Sequence, residues 1–264
     1  MHLYEERIIT FIDLLGFTNT INKSIDNNVE NIAETQKIHS LLDEVQWYIK
    51  YHDLLLDKLK IEGKIINQFS DSIIISYKKE TDIFRVLLHI YSLCHIALEN
   101  NFLLRGAITY GKIYHNENKI FGPGFIQAYN MEKKMAIYPR IIIDERIIEK
   151  AIKSYSESPD PDAEIRNLLQ LAPKDFDGLH YINYFEKMIG VNNSFDDRKN
   201  LLDNINKIMN EMDLNDNSIK SKYLWMKEKL INAHTNLKSK YEDIDFVNIN
   251  NAQVPKIENN HSLI

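Results

Sequence analysis

The sequence predicts an α+β fold, a ferredoxin-like βαββαβ core with additional strands and a C-terminal helical extension. Three observations carry that expectation. A β-branched run, RIITFI at 7–12, is separated by a helical stretch from two apolar bursts on either side of Ser70, Asp71 and Ser72. A second helical stretch then leads into FLLRGAITYGKIYH, so the order reads β, α, β, β, α, β. Finally, 264 residues that are 44% hydrophobic and 27% charged suffice for one sizeable core plus an appendage, and are too few for two full-sized domains.

Each element has its own signal. RIITFI runs straight into Asp13 and Gly16, as a strand opening into a loop does. Between about 29 and 58, Ile32, Ile38, Leu41, Leu42, Val45, Tyr48 and Ile49 recur at helical spacing. KIINQFSDSIIISYK reads as a tight hairpin with Asp71 at its tip. Residues 81–100 are an amphipathic helix, followed by the strand ending at His115, whose two glycines permit close backbone approach. After Gly122-Pro123-Gly124 comes the helical run FIQAYNMEKKMA, ended by Pro139 and followed by the strand RIIID. The turn-rich SESPDPDAE separates this core from QLAPKDFDGLHYINYF, which returns to the sheet as one more strand. Residues 195–241 hold two amphipathic blocks, a helical hairpin, and the last twenty or so lack periodicity. The expected divisions are 1–190, 191–245 and 246–264.

Composition narrows the function classes. A net charge of -6 gives no general attraction for nucleic acid, while a small nucleotide held through metal stays compatible. One cysteine, Cys94, set in an apolar helix, builds neither a disulfide framework nor a zinc site. The N-terminus lacks a signal-peptide pattern, and no segment reaches 18 uninterrupted apolar residues. A cytoplasmic protein without membrane attachment is expected.

The chemistry points to carboxylates. Asp13 and Asp71, at a strand end and a hairpin tip that are neighbours in a ferredoxin-like sheet, suit hard divalent cations, which need one or two carboxylates plus substrate phosphates. Both are equally positions where aspartate simply favours a turn. His89 and His95 read as core-edge or surface histidines, His115 as a structural strand-end residue, and Asp175 and Asp177 as a turn before Gly178 and only weakly as a metal position.

FIDLLGF at 11–17, FSDS at 69–72, LRGAITYGKIYH at 104–115 and FGPGFIQAYNMEKKMA at 121–136 together resemble class III adenylate and guanylate cyclase domains, in the same order and over residues 5–185. The resemblance implies a cyclase core in which two Mg²⁺ or Mn²⁺ ions are held by Asp13, Asp71 and the Ile12 carbonyl. It also implies that backbone N–H groups of Leu14, Leu15, Gly16, Phe17 and Thr18 cradle the triphosphate, and that two chains form a homodimer. The chain departs from the pattern where an Asn and an Arg usually stand, at Ile126 and Asn130. Lys133, Lys134 and Arg140 are the nearby replacement cations, although a lysine pair on a helix is as readily a solvated face. At the base-selecting positions stand Asn67 and Lys119, which matches neither purine code and looks similar to bacterial pyrimidine cyclases of antiphage signalling. Two other readings stay open: a catalytically degenerate nucleotide-binding sensor or interaction module, and a palm-type enzyme joining two nucleotides.

Overall fold

A computed structural model describes residues 3–55, 61–186 and 195–240. The expected tail at 246–264 and the expected boundary near 190 lie outside the described residues. Strand β1 (Glu5–Leu15) leads into a short helix, α1 (Phe17–Lys23), and a two-residue-per-strand hairpin, β2 (Ile25–Asp26) and β3 (Val29–Glu30). Helix α2 (Ile32–Leu55) precedes the hairpin β4 (Ile65–Phe69) and β5 (Ser72–Lys78). Helix α3 (Ile83–Glu99), β6 (Leu103–His115), β7 (Ile120–Phe121), α4 (Pro123–Met135) and β8 (Ile141–Ile143) follow. The remainder is α5 (Glu145–Tyr155), α6 (Pro161–Leu171), β9 (His180–Tyr181), α7 (Phe195–Asn210) and α8 (Asn217–Lys240).

The main sheet runs β4-β5-β1-β6-β8-β9, with β7 attached to β6. Its first four strands are antiparallel and stand in the order expected of a βαββαβ core; β8 then adds in parallel beside β6, and β9 pairs antiparallel with β8. The α+β expectation with added strands and C-terminal helices holds. Alternation along β1 divides its side chains between two layers. Ile8, Ile12 and Leu14 join the large core with α2, α3, α5, α6, α7 and α8, while Ile9 and Phe11 join a smaller cluster with Ile74, Ile113 and Ala128 of α4. Leu201, Leu202 and Ile205 of α7 and Trp225, Met226 and Leu230 of α8 belong to the same large core.

Helix α4 lies flush on β1 and β6 because glycines meet at the contact. A Cβ on Gly124 would stand 2.5 Å from Ile9 Cδ1 and 3.0 Å from the Gly111 backbone. Helices α3, α5 and α6 start on side-chain caps from Asp82, Asp144 and Asp160. Cys94 is buried among apolar neighbours, and burial pushes its thiol up, out of reactive range.

Candidate active site

Asp13 sits at the end of β1, opposite Ser72 on β5 and Arg105 on β6. The hairpin tip folds over it: the Leu14 N–H donates to the Asp71 carbonyl at 3.0 Å, and Ser70 takes a left-handed φ of 53° to make the turn. Asp71 is near enough for its charge to act on Asp13. Burial pushes the Asp13 carboxyl above its ordinary value and the Asp71 charge adds to this, while Arg105 opposes both. Asp71 thus lies beside the end of β1 that carries Asp13, and two carboxylates are hard oxygen donors of the kind that fits Mg²⁺ or Mn²⁺. Among the described residues no group of three or more histidine, cysteine or acidic side chains has metal-binding geometry, and Mg²⁺ does not require one.

Gly16, with φ 83°, turns the chain from β1 directly into α1, and no side chain caps that helix. The first-turn N–H groups at Phe17 and Thr18 therefore have no side-chain acceptor from a capping residue. Leu14 needs a correction. Its N–H is bonded to Asp71, so it is not free to cradle phosphate in this arrangement. The Phe17 ring is buried in the core, and Ile12 is fully buried within β1, so each could serve only through its backbone.

Two site residues were missed by sequence reasoning. Arg105 Nη2 donates to Asp13 Oδ2 at 3.2 Å and pairs with Glu132 Oε1 of α4 at 2.5 Å. The Glu132 side chain is only 5% exposed, and burial pushes its carboxyl up against the opposing pull of Arg105. A signal existed: Arg105 is a charge inside an apolar strand, and Glu132 falls four residues after buried Ala128 on the face of α4 that meets the sheet.

Arg140 is the main correction. It begins the turn into β8, but its guanidinium is fully buried, pairing with Asp175 and Asp177 and stacked near Tyr138, Tyr181 and Trp225. A fully buried cation whose charge is already matched by two carboxylates does not reach a substrate phosphate. Asp175 and Asp177, expected first as a turn, make that turn through the Gly178 N–H to the Asp175 carbonyl and also serve as these partners. Lys133 is on the exposed face of α4, with its Nζ 3.4 Å from Tyr129 Oη, and Lys134 is exposed as well. Asn130 is half-buried on α4, and Ile126 is exposed.

Lys119 is exposed at the β6–β7 turn. Asn67 is half-buried and oriented on both sides: its Oδ1 meets His115 Nε2, and its Nδ2 donates to the Glu117 carbonyl at 2.8 Å. His115 Nδ1 lies 2.7 Å from Ser76 Oγ, which also accepts from Arg7 Nε at 2.8 Å. Burial, reinforced by Arg7, pulls the His115 pKa down from 6.5 to about 4. A folded value below the unfolded one means this contribution to stability is complete above pH 6.5 and is lost as pH falls towards 4. The loss should be on the order of 3 kcal/mol. Urea titrations at stepped pH should show that slope in the parent protein and a flatter one in His115→Gln.

His89, expected at the core edge or surface, is fully buried, with Nδ1 2.8 Å from Tyr77 Oη. No described helix is long and apolar enough to cross a membrane.

The fold defined by these strands is the α+β class anticipated above, and solved structures similar to it include guanylyl cyclase domains and an adenylyl cyclase-like protein. The guanylyl cyclase Cya2 is 17% identical, with 56% of this chain and 79% of that one covered and a TM-score of 0.40. The monomeric guanylyl cyclase domain of the RhoGC fusion protein from the aquatic fungus Blastocladiella emersonii is 16% identical over 57% and 86%, at 0.39. A class III adenylyl cyclase-like ATP-binding protein from Pseudomonas aeruginosa is 12% identical over 64% and 42%, at 0.41. No protein-family model matches the chain, and no curated protein matches it.

Proposed function

We propose that this chain is a nucleotidyl cyclase, in which the ribose 3′-oxygen of a nucleoside triphosphate attacks its own α-phosphorus and pyrophosphate leaves. The observation that supports the reading is the main-chain bond from Leu14 to Asp71, which folds the hairpin tip over the end of β1 and brings the Asp71 charge to act on Asp13. Asp13, Asp71 and the Ile12 carbonyl would hold two Mg²⁺ or Mn²⁺ ions, which when bound activate the attacking oxygen and stabilise the departing one. Gly16 lets the backbone turn beside them, and the N–H groups of Gly16, Phe17 and Thr18, with Leu15, form the phosphate cradle.

CTP or UTP is the substrate class we favour, because Asn67 and Lys119 stand at the base-selecting positions and match neither purine code; Asn67 is held in one orientation by His115 and Glu117. Such a fixed amide can discriminate base edges that differ in donor and acceptor order. A homodimer is part of the reading. Phe69, Ile126 and Ile137 are 81%, 54% and 58% exposed, an apolar set on the hairpin and around α4 that a second copy would cover.

The second reading, a nucleotide-binding sensor without turnover, is favoured by one observation: Ile126 and Asn130 supply no cation on α4, and Arg140 is committed elsewhere. Incubation with each of the four ribonucleoside triphosphates and Mn²⁺, with product identification by mass spectrometry, separates the two. We expect a cyclic mononucleotide, predominantly cyclic CMP or cyclic UMP. Cyclic AMP as the main product would remove the pyrimidine assignment, a linked dinucleotide would remove cyclisation, and bound but unconverted nucleotide would favour the sensor.

A further inference from the structure

We infer that Arg105 is a positioning residue for Asp13, and that Glu132 is the fixed post against which it is held. The inference rests on the cyclase reading and adds to it a support that reaches the metal carboxylate from α4. One guanidinium nitrogen, Nη2, serves both acids: it is 2.5 Å from Glu132 Oε1 and 3.2 Å from Asp13 Oδ2. The difference in distance matters. The short contact goes to the more buried acid, whose side chain is 5% exposed against 22% for Asp13. A buried carboxylate needs its counter-ion more than a half-exposed one does, so Glu132 holds the guanidinium and Asp13 receives its second, weaker contact. Asp13 is thereby oriented while keeping lone pairs for a cation, the arrangement by which outer groups set the direction of metal-binding carboxylates.

The position of Glu132 follows from the fold. Glycine contacts at Gly111 and Gly124 seat α4 on β6, and that brings the buried side of the helix over the start of the strand that carries Arg105. Arg105 Nε and Glu132 Oε1 are both buried without a hydrogen-bond partner, so the Arg105–Glu132 contact is an ion pair, and Nη2 is the one nitrogen that reaches both acids. The Arg105–Glu132 pair is formally neutral. Its effect on a divalent cation is therefore mainly geometric, unlike that of an isolated arginine.

Two accounts of Arg105 predict opposite signs. If it were only a competing counter-ion, its removal would strengthen divalent binding; as a positioning residue, its removal weakens binding. Mn²⁺ titration of the nucleotide-free full chain, read from the electron paramagnetic resonance signal of free Mn²⁺, measures this without turnover. Arg105→Gln should weaken binding about tenfold, the lower end of the range for outer-sphere partners. Arg105→Lys should lose less, since it keeps the charge without the fork. Glu132→Gln should weaken binding as well, because a guanidinium released from its post settles on Asp13 and competes with the metal. Circular dichroism confirms that each variant is folded, and Arg105→Lys decides the matter if Arg105→Gln is not.

Unchanged or tighter Mn²⁺ binding in the Arg105 variants overturns the inference. Equal Mn²⁺ binding by the parent and Asp13→Asn is a different failure, in which the two-metal reading falls and takes this inference with it.

Discussion

Replacing Asp71 with alanine should reduce cyclic-nucleotide formation about a thousandfold or more, in line with losses seen when a preorganised electrostatic group is removed from an active site. The same change should move the thermal midpoint by no more than about 2 °C. The contrast follows from how the hairpin is held. Its contact with β1 is made by the Asp71 carbonyl, which accepts from the Leu14 N–H and is retained in alanine. The side chain, by comparison, is partly exposed and adds negative charge beside Asp13, which opposes ionisation there. Losing it should cost the fold little. Turnover measured by mass spectrometry alongside a thermal melt tests both halves. Retained turnover with a large loss of stability would make Asp71 a structural turn residue.

Asp175→Asn should destabilise the chain by about 3–5 kcal/mol, the range for breaking a buried charge pair from one side. The Asp175 side chain is fully buried, and it accepts from Arg140, from Trp225 Nε1 at 2.7 Å and from Lys229 Nζ at 2.6 Å. Asparagine keeps the shape but leaves the Arg140 guanidinium, itself fully buried, with Asp177 alone. Burial raises the Asp175 carboxyl, but hydrogen bonds from Lys229 and Trp225, a backbone N–H and the Arg140 charge together hold it below its ordinary value. The sign follows directly: this stabilisation is present above the usual carboxylate range and is lost as pH falls through the lowered folded value. Denaturant unfolding followed by tryptophan fluorescence should show the loss at neutral pH. The parent should approach the variant only in strong acid, below the window in which His115 acts.

The sequence made the strands around Asp13 and Asp71 legible for a physical reason. β-branched runs that end abruptly in polar residues leave few alternatives to a strand and a turn, so β1, β4, β5 and β6 could be placed. Helices α3 and α4 were readable from periodicity. Helix α6 is hidden because SESPDPDAE reads as a single loop, although Asp160 and Pro161 form an N-terminal cap and first turn. The small hairpin β2–β3 gave no signal because Ile25 and Val29 are exposed, and pattern reading relies on burial. Arg140 illustrates a different limit. Its partners lie 35 and 37 residues away, and nothing local shows that a charged residue before a strand will be consumed inside the protein. The same distance hid Arg105, which meets Asp13 across 92 residues.

The seating of α8 also bears on how the chain can be shortened. Lys229 and Trp225 close over the pocket in which Arg140 and Asp175 meet, just ahead of the strand that pairs with β6. A fragment trimmed at residue 190 would keep every proposed metal and nucleotide residue, yet it would open that pocket to water and strip apolar cover from the main core. Helices α7 and α8 are a lid on the protein's own interior, and cutting them away would be felt first as poor folding, before any question of catalysis arose.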